Sequence, residues 1–128
     1  MTTVVLRSRS ASGLIETRRM MLETLEWQNQ HAAHQWSPPA DLYETETDYV
    51  IRVEAAGMRQ QNFNISLQGR LLVVRGSRPD TPQRRAYHQM EIRFGEFQLA
   101  IRLPGQVDSE QAQAEYQDGF LVITLPKA

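Results

Sequence analysis

The sequence predicts an all-β fold, an antiparallel β-sandwich preceded by a short helical N-terminal arm, and three observations carry that expectation. The hydrophobic period changes from helical to two near Asp41. Beyond that point short apolar runs recur between Gly, Pro and Asp punctuation, with no helical pattern interposed. A length of 128 residues suits one domain and one flanking arm. The division falls at Trp36-Ser37-Pro38-Pro39, which assigns residues 1–36 to the arm and 37–128 to the sandwich.

Each element has its own warrant. Residues 1–12 are rich in Ser, Thr and Arg and show no sustained period, as a flexible segment would. Gly13 to Gln30 reads as helix: Leu14, Met21, Leu22 and Leu25 recur at helical spacing, with Arg18, Arg19, Glu23 and Glu26 between them. Pro38 and Pro39 end any helix and open an extended segment. Tyr49, Ile51, Val53 and Ala55 alternate with Val50, Arg52 and Glu54, so one face of that strand is buried, and Gly57 ends it. Phe63, Ile65 and Leu67 repeat the pattern, and Gly69-Arg70 supplies a tight hairpin turn. Leu71 to Val74 is a continuous apolar run closed by Arg75-Gly76, as in a strand covered on both faces. Pro79 and Pro82 mark a loop, and Tyr87 to Ile92 is a short, more polar strand candidate. Phe97, Leu99, Ile101 and Leu103 alternate as far as Pro104-Gly105. Ala112, Ala114 and Tyr116 do the same before Asp118-Gly119 turns the chain into Phe120–Leu125.

Composition narrows the function classes. Hydrophobic residues make up 41% and charged residues 23%, which is globular composition. A formal net charge of −1 gives no electrostatic case for nucleic acid. Val4-Val5-Leu6 is too short for a signal-peptide core, and no stretch approaches a membrane span. A soluble cytoplasmic protein with neither nucleic acid nor membrane as partner is expected. The absence of cysteine excludes disulfides and thiolate chemistry.

No constellation for catalysis emerges. His31 and His34 stand three apart but have no third ligand of fitting spacing, so an exposed polar face is expected. His88, beside Tyr87, reads as a surface or interface residue. Ser37, Ser66, Ser77 and Ser109 lack the context of a nucleophile, which needs a partner base and a charge-stabilising donor. Glu44, Glu46 and Asp48 read as solvated turn charges, and the glycines are scattered singly at turns. The expectation is no enzyme, no cofactor and no metal.

Four segments, in order, resemble a known family. DLYETETDYVIRVEAAGM, GRLLVVRGSR, GEFQLAIRLPG and AEYQDGFLVITLPKA are similar to the α-crystallin domain of small heat-shock proteins, and together they reach from about Trp36 to Ala128. The resemblance implies an immunoglobulin-like sandwich and an ATP-independent holdase that binds unfolding client proteins. It also implies a homodimer that assembles into larger oligomers. Three surfaces follow from it. The arm, with Leu14, Met20, Met21, Leu22, Leu25, Trp27 and also Trp36, is the adaptable client-binding part, since methionine repacks against varied partners. The alternative is that this stripe packs within the assembly. Phe63, Ile65, Leu67, Ala112, Ala114 and Tyr116 line an edge groove that in the family receives an Ile-x-Ile-type tail, unless they only fill the core. Tyr87, His88, Met90, Ile92 and Arg93 form a strand lent to a partner's sheet, with an intramolecular hairpin as the rival.

Two departures from the family qualify these expectations. The sequence shows no Ile-x-Ile tail after Pro126-Lys127-Ala128. Either it is truncated or this member assembles differently, so a C-terminal extension is taken as absent and a dimer or small oligomer is expected. Val4-Val5-Leu6 is then a candidate occupant of the groove. Leu99 stands where the family often has arginine, and it is expected to pack in the core, with Arg93 and Arg102 keeping basic character nearby. From another functional class, the competing reading is a non-chaperone adaptor that presents the groove to one specific partner.

Overall fold

The computed structural model describes residues 2–4, 36–80 and 85–128. The helix expected over Gly13–Gln30 lies outside the described residues, and with it Leu14, Met20, Met21, Leu22, Leu25 and Trp27. His31 and His34 lie outside them too.

The described residues form eight strands: β1 (Thr2–Val4), β2 (Ala40–Glu44), β3 (Asp48–Glu54), β4 (Phe63–Gln68), β5 (Leu71–Arg78), β6 (Gly95–Arg102), β7 (Gln113–Gln117) and β8 (Phe120–Pro126). They form one sheet in the order β1-β7-β8-β3-β2 and a second in the order β4-β5-β6, with every pair of neighbours antiparallel. Short 3-10 turns, Gln60–Asn62 and Ser109–Gln111, lead into β4 and β7. The second is capped by the Asp108 carboxylate, which accepts from the Glu110 N–H.

The period-2 reading places the core. Alternate residues of a strand point to one face, and Ile51, Val53, Leu121, Ile123 and Leu125 of the larger sheet are all fully buried. They face Leu72, Val74 and Phe97 of the smaller sheet, which are also fully buried. Leu99 is half-buried and packs against this cluster, opposite Val74. The two expected turns form as their residues allow. Gly69 takes φ +59° between β4 and β5, and Asp118 and Gly119 take φ +54° and +84° between β7 and β8. Two-residue hairpins whose twist matches their strands need positive φ at both central positions, as at Asp118-Gly119, or at the first alone, as at Gly69-Arg70.

Three sequence expectations are corrected. Gly76 does not close its strand, since β5 runs on to Arg78. Its glycine answers a close approach instead. It pairs with Phe97 across the sheet, and a Cβ there would run into the Phe97 ring and lie 2.7 Å from the Asn62 carbonyl oxygen. Tyr87–Ile92 forms no strand within this chain; the segment is irregular, with a bend at His88, and joins neither sheet. An exposed strand has no reason to form without a neighbour to take its backbone hydrogen bonds. Trp36, grouped above with the adaptable arm, is a core residue. It is 9% exposed, it bridges Phe97 in the parallel sense, and its ring meets the Phe97 ring edge-on at 5.2 Å.

Candidate functional site: sheet edges and an exposed strap

The surfaces that set this sandwich apart are its edges. In the larger sheet β2 is terminal on one side, and its Tyr43 is 47% exposed. On the other side β7 carries β1, with Thr2 opposite Tyr116, Thr3 opposite Glu115 and Val4 opposite Ala114. β1 also contacts the Gln60–Asn62 turn that starts β4, so it lies where the margins of the two sheets approach each other. Of the candidate groove occupant Val4-Val5-Leu6, Val4 belongs to β1, and Val5 and Leu6 lie outside the described residues.

The predicted groove residues gather along this margin, but at different depths. Phe63, Ile65 and Leu67 of β4 are 8%, 4% and 4% exposed, and Ala114 is fully buried, so all four belong to the core cluster. Ala112 and Tyr116 are half-buried against it. Tyr116 has a structural role that its apolar spacing did not announce. Its hydroxyl donates to the Ala55 carbonyl at 2.7 Å and accepts from the Met58 N–H at 3.2 Å, and its ring lies 5.1 Å from that of Phe63. It therefore ties β7 to the connection between the two sheets.

The second surface is the strap between β5 and β6. From Arg85 to Arg93 every residue is exposed. Tyr87, Met90 and Ile92 are 48%, 60% and 64% exposed, an unusual concentration of large apolar side chains on a small fold. With Arg85, Gln89, Glu91 and Phe94 they line an open hollow of about 350 Å³. The Arg85 guanidinium donates to the Tyr87 hydroxyl at 3.1 Å and lies 3.7 Å from the Asp80 carboxylate. His88 and Arg93 are exposed on the same strap. The rival intramolecular hairpin with β6 does not form; the other side of β6 is bridged instead by Trp36, whose N–H donates to the Glu96 carbonyl and whose carbonyl accepts from the Gln98 N–H.

Of the two residues at the strap's foot, Arg78 was not singled out as functional from sequence, and Trp36 was grouped instead with the client-binding arm. Trp36 donates its indole N–H to the Gly95 carbonyl at 3.2 Å. The Arg78 guanidinium lies over both the Trp36 and Phe94 rings. The available signal was an arginine just before Pro79, at the mouth of a loop. Among the described residues no group of three or more His, Asp or Glu side chains is placed to hold a metal ion.

These features define a class: a β-sandwich scaffold whose distinctive surfaces are open strand edges and an apolar strap. The chain belongs to the Hsp20/alpha crystallin family, whose model matches residues 41–128; this is the small heat shock family of chaperones. Small heat shock protein C4 of Rickettsia felis is 33% identical over 93 residues, covering 71% of this chain and 57% of that protein. Spore protein SP21 of Stigmatella aurantiaca is 28% identical over 122 residues, covering 85% of this chain and 72% of its own length. Among solved structures, hspA from Xanthomonas axonopodis superposes with a TM-score of 0.67 at 25% identity, covering 73% of this chain and 95% of that one. Heat shock protein 16.0 from Schizosaccharomyces pombe shares the fold at the same TM-score and 24% identity, covering 73% of this chain and 89% of that one. The chain spans 57% and 60% of the length of the two Rickettsia felis relatives, C4 and C2.

Proposed function

We propose that this chain is an ATP-independent holdase of the cytoplasm that binds unfolding proteins and prevents their aggregation, working as a homodimer or a small oligomer. One observation carries the reading: a well-packed sandwich of a chaperone family exposes Tyr87, Met90 and Ile92 on a strap that joins neither sheet among the described residues. An unpaired apolar segment and a terminal strand are complementary, since each lacks what the other offers. In this reading the strap residues Tyr87, His88, Met90, Ile92 and Arg93 add to the open edge of β2 in a second copy. A two-fold axis then makes the exchange reciprocal.

The margin of β4 and β7 is proposed as the second binding surface, taking an extended segment by strand addition. Any such segment competes with β1 for the same backbone groups of β7. The arm residues Leu14, Met20, Met21, Leu22, Leu25 and Trp27 are proposed as the adaptable surface for clients. The test is heat-induced aggregation of two unrelated client proteins without ATP, with light scattering to size the protein itself. Suppression of both clients at near-stoichiometric ratio is expected. Protection of neither, with the protein folded, overturns the holdase reading in favour of an adaptor with one specific partner.

A further inference from the structure

The strap leaves the sandwich and returns to it at one point, because Arg78, the last residue of β5, pairs with Gly95, the first of β6. At that point the Arg78 side chain is half-buried and makes more connections than its place at a strand end requires. Its Nε–H donates to the Arg93 carbonyl at 2.8 Å, and Nη2 donates to the same oxygen. Nη1 donates to the Ala56 carbonyl, on the connection between the sheets, at 3.4 Å. The guanidinium carbon lies 4.4 Å from the centroid of the Trp36 ring and 5.5 Å from that of Phe94. One planar cation therefore touches the foot of the arm, the returning end of the strap and the inter-sheet connection. A guanidinium suits the place because it offers a fork of fixed donors and two faces for stacking; an ammonium offers neither.

Trp36 completes the arrangement. It is held by its indole bond to Gly95, by its bridge across β6 and by the edge-on Phe97 ring. Where Trp36 sits fixes the face on which Arg78 stacks, and Arg78 in turn fixes the carbonyl of Arg93, one residue beyond Ile92. We propose that Arg78 is a latch coupling the seating of Trp36, at the root of the arm, to the presentation of the strap over residues 85–94. Arg78 is a positioning residue: it sets the exit angle of the strap and makes no contact of its own with a partner. Coupling is reciprocal, so a pull on the arm that unseats Trp36 loosens the strap, and a strap docked elsewhere tightens the seat of Trp36. The consequence for assembly rests on the strap's being the dimer-forming strand; the latch itself does not.

The test is NMR relaxation of the backbone amides on the full chain in an Ile92→Ser background, which leaves the strap without an interface. Arg78→Lys is expected to lower the amide order parameters over 92–94 to below about 0.6, the range of flexible backbone, while β3 and β8 keep their wild-type values. Trp36→Phe is expected to act on the same amides, and the double variant to fall well short of the sum of the two single effects, as coupled residues do. Unchanged order parameters over 92–94 in Arg78→Lys overturn the latch. So does a fall shared equally by β3 and β8, which would make Arg78 a general stabiliser, and so do fully additive effects. Sedimentation of the chain with Ile92 intact separates the two readings. A chain monomeric at all concentrations but with a loosened strap in Arg78→Lys sinks the dimer and supports the latch. A dimer unaffected by Arg78→Lys, with the strap's order parameters also unchanged, sinks the latch alone.

Discussion

Ile92→Ser tests the strap directly, and its size follows from one exposure value. Burying an isoleucine side chain fully is worth about 1.5–3 kcal/mol. Ile92 is 64% exposed in the single chain, so that share of the burial remains to be gained in an interface. A two-fold dimer contains the contact twice, which gives about 2–4 kcal/mol per dimer. At about 1.4 kcal/mol per tenfold change, the dissociation constant should rise at least about thirtyfold. The fold itself should hardly notice, since exposed positions usually shift stability by no more than about 0.5 kcal/mol. Sedimentation equilibrium over a wide concentration range measures the first quantity and a thermal melt of the monomer the second. A dissociation constant within about threefold of wild type would refute the reasoning, because an exposed apolar strand that costs nothing to remove is not an interface.

Other outcomes follow from the same geometry. Tyr116→Phe leaves the Ala55 carbonyl and the Met58 N–H without their shared hydroxyl; at about 1–3 kcal/mol per buried orphan, denaturant unfolding should show a loss of about 2–3 kcal/mol. Gly76→Ala drives a Cβ into the Phe97 ring and the Asn62 carbonyl, and overpacking of about 1–3 kcal/mol is expected in the same assay; Phe97→Leu in addition should recover part of it. Leu99→Arg places a guanidinium against the core cluster and should lower the melting temperature; a rise would show that Leu99 does not pack as described. Deleting residues 2–8 removes β1 and should speed exchange of the β7 amides facing it by about tenfold, whereas unchanged exchange would mean that the β1–β7 pairing does not protect that edge.

The sandwich was legible because its signal is local. Tyr49, Ile51 and Val53 alternate within one strand and all are buried with Ala55 just beyond it, while Arg52 and Glu54 of the other face stay exposed. Asp118-Gly119 likewise announces its turn through backbone preferences that neighbours cannot override. The misses were matters of tertiary contact. Gly76 looked like punctuation, but its reason lies across the sheet at Phe97. Trp36 stands one residue before two prolines and looked like the end of the arm, yet it fills a place on β6 that no periodicity marks. Tyr116 alternates as an apolar residue should, and its hydroxyl partners lie some sixty positions away in sequence. Arg78 sat inside a recognised motif, but a motif says that a residue recurs and not which two rings it lies between.

The register of β3 against β8 has a consequence for how the protein comes into being. Val50 pairs with Thr124 and Tyr49 with Leu125, so the central ladder joins the first part of the domain to its last. At about 5–20 residues per second of synthesis, β3 waits about 4–15 s before its partner strand has even been made. Its fully buried residues, Ile51 and Val53, spend that interval without a sheet to enter. Each new copy is thus for some seconds an unfinished, strand-rich chain with its apolar face uncovered. That is the same kind of object the finished protein is proposed to hold, and on that proposal its own nascent copies would count among its clients.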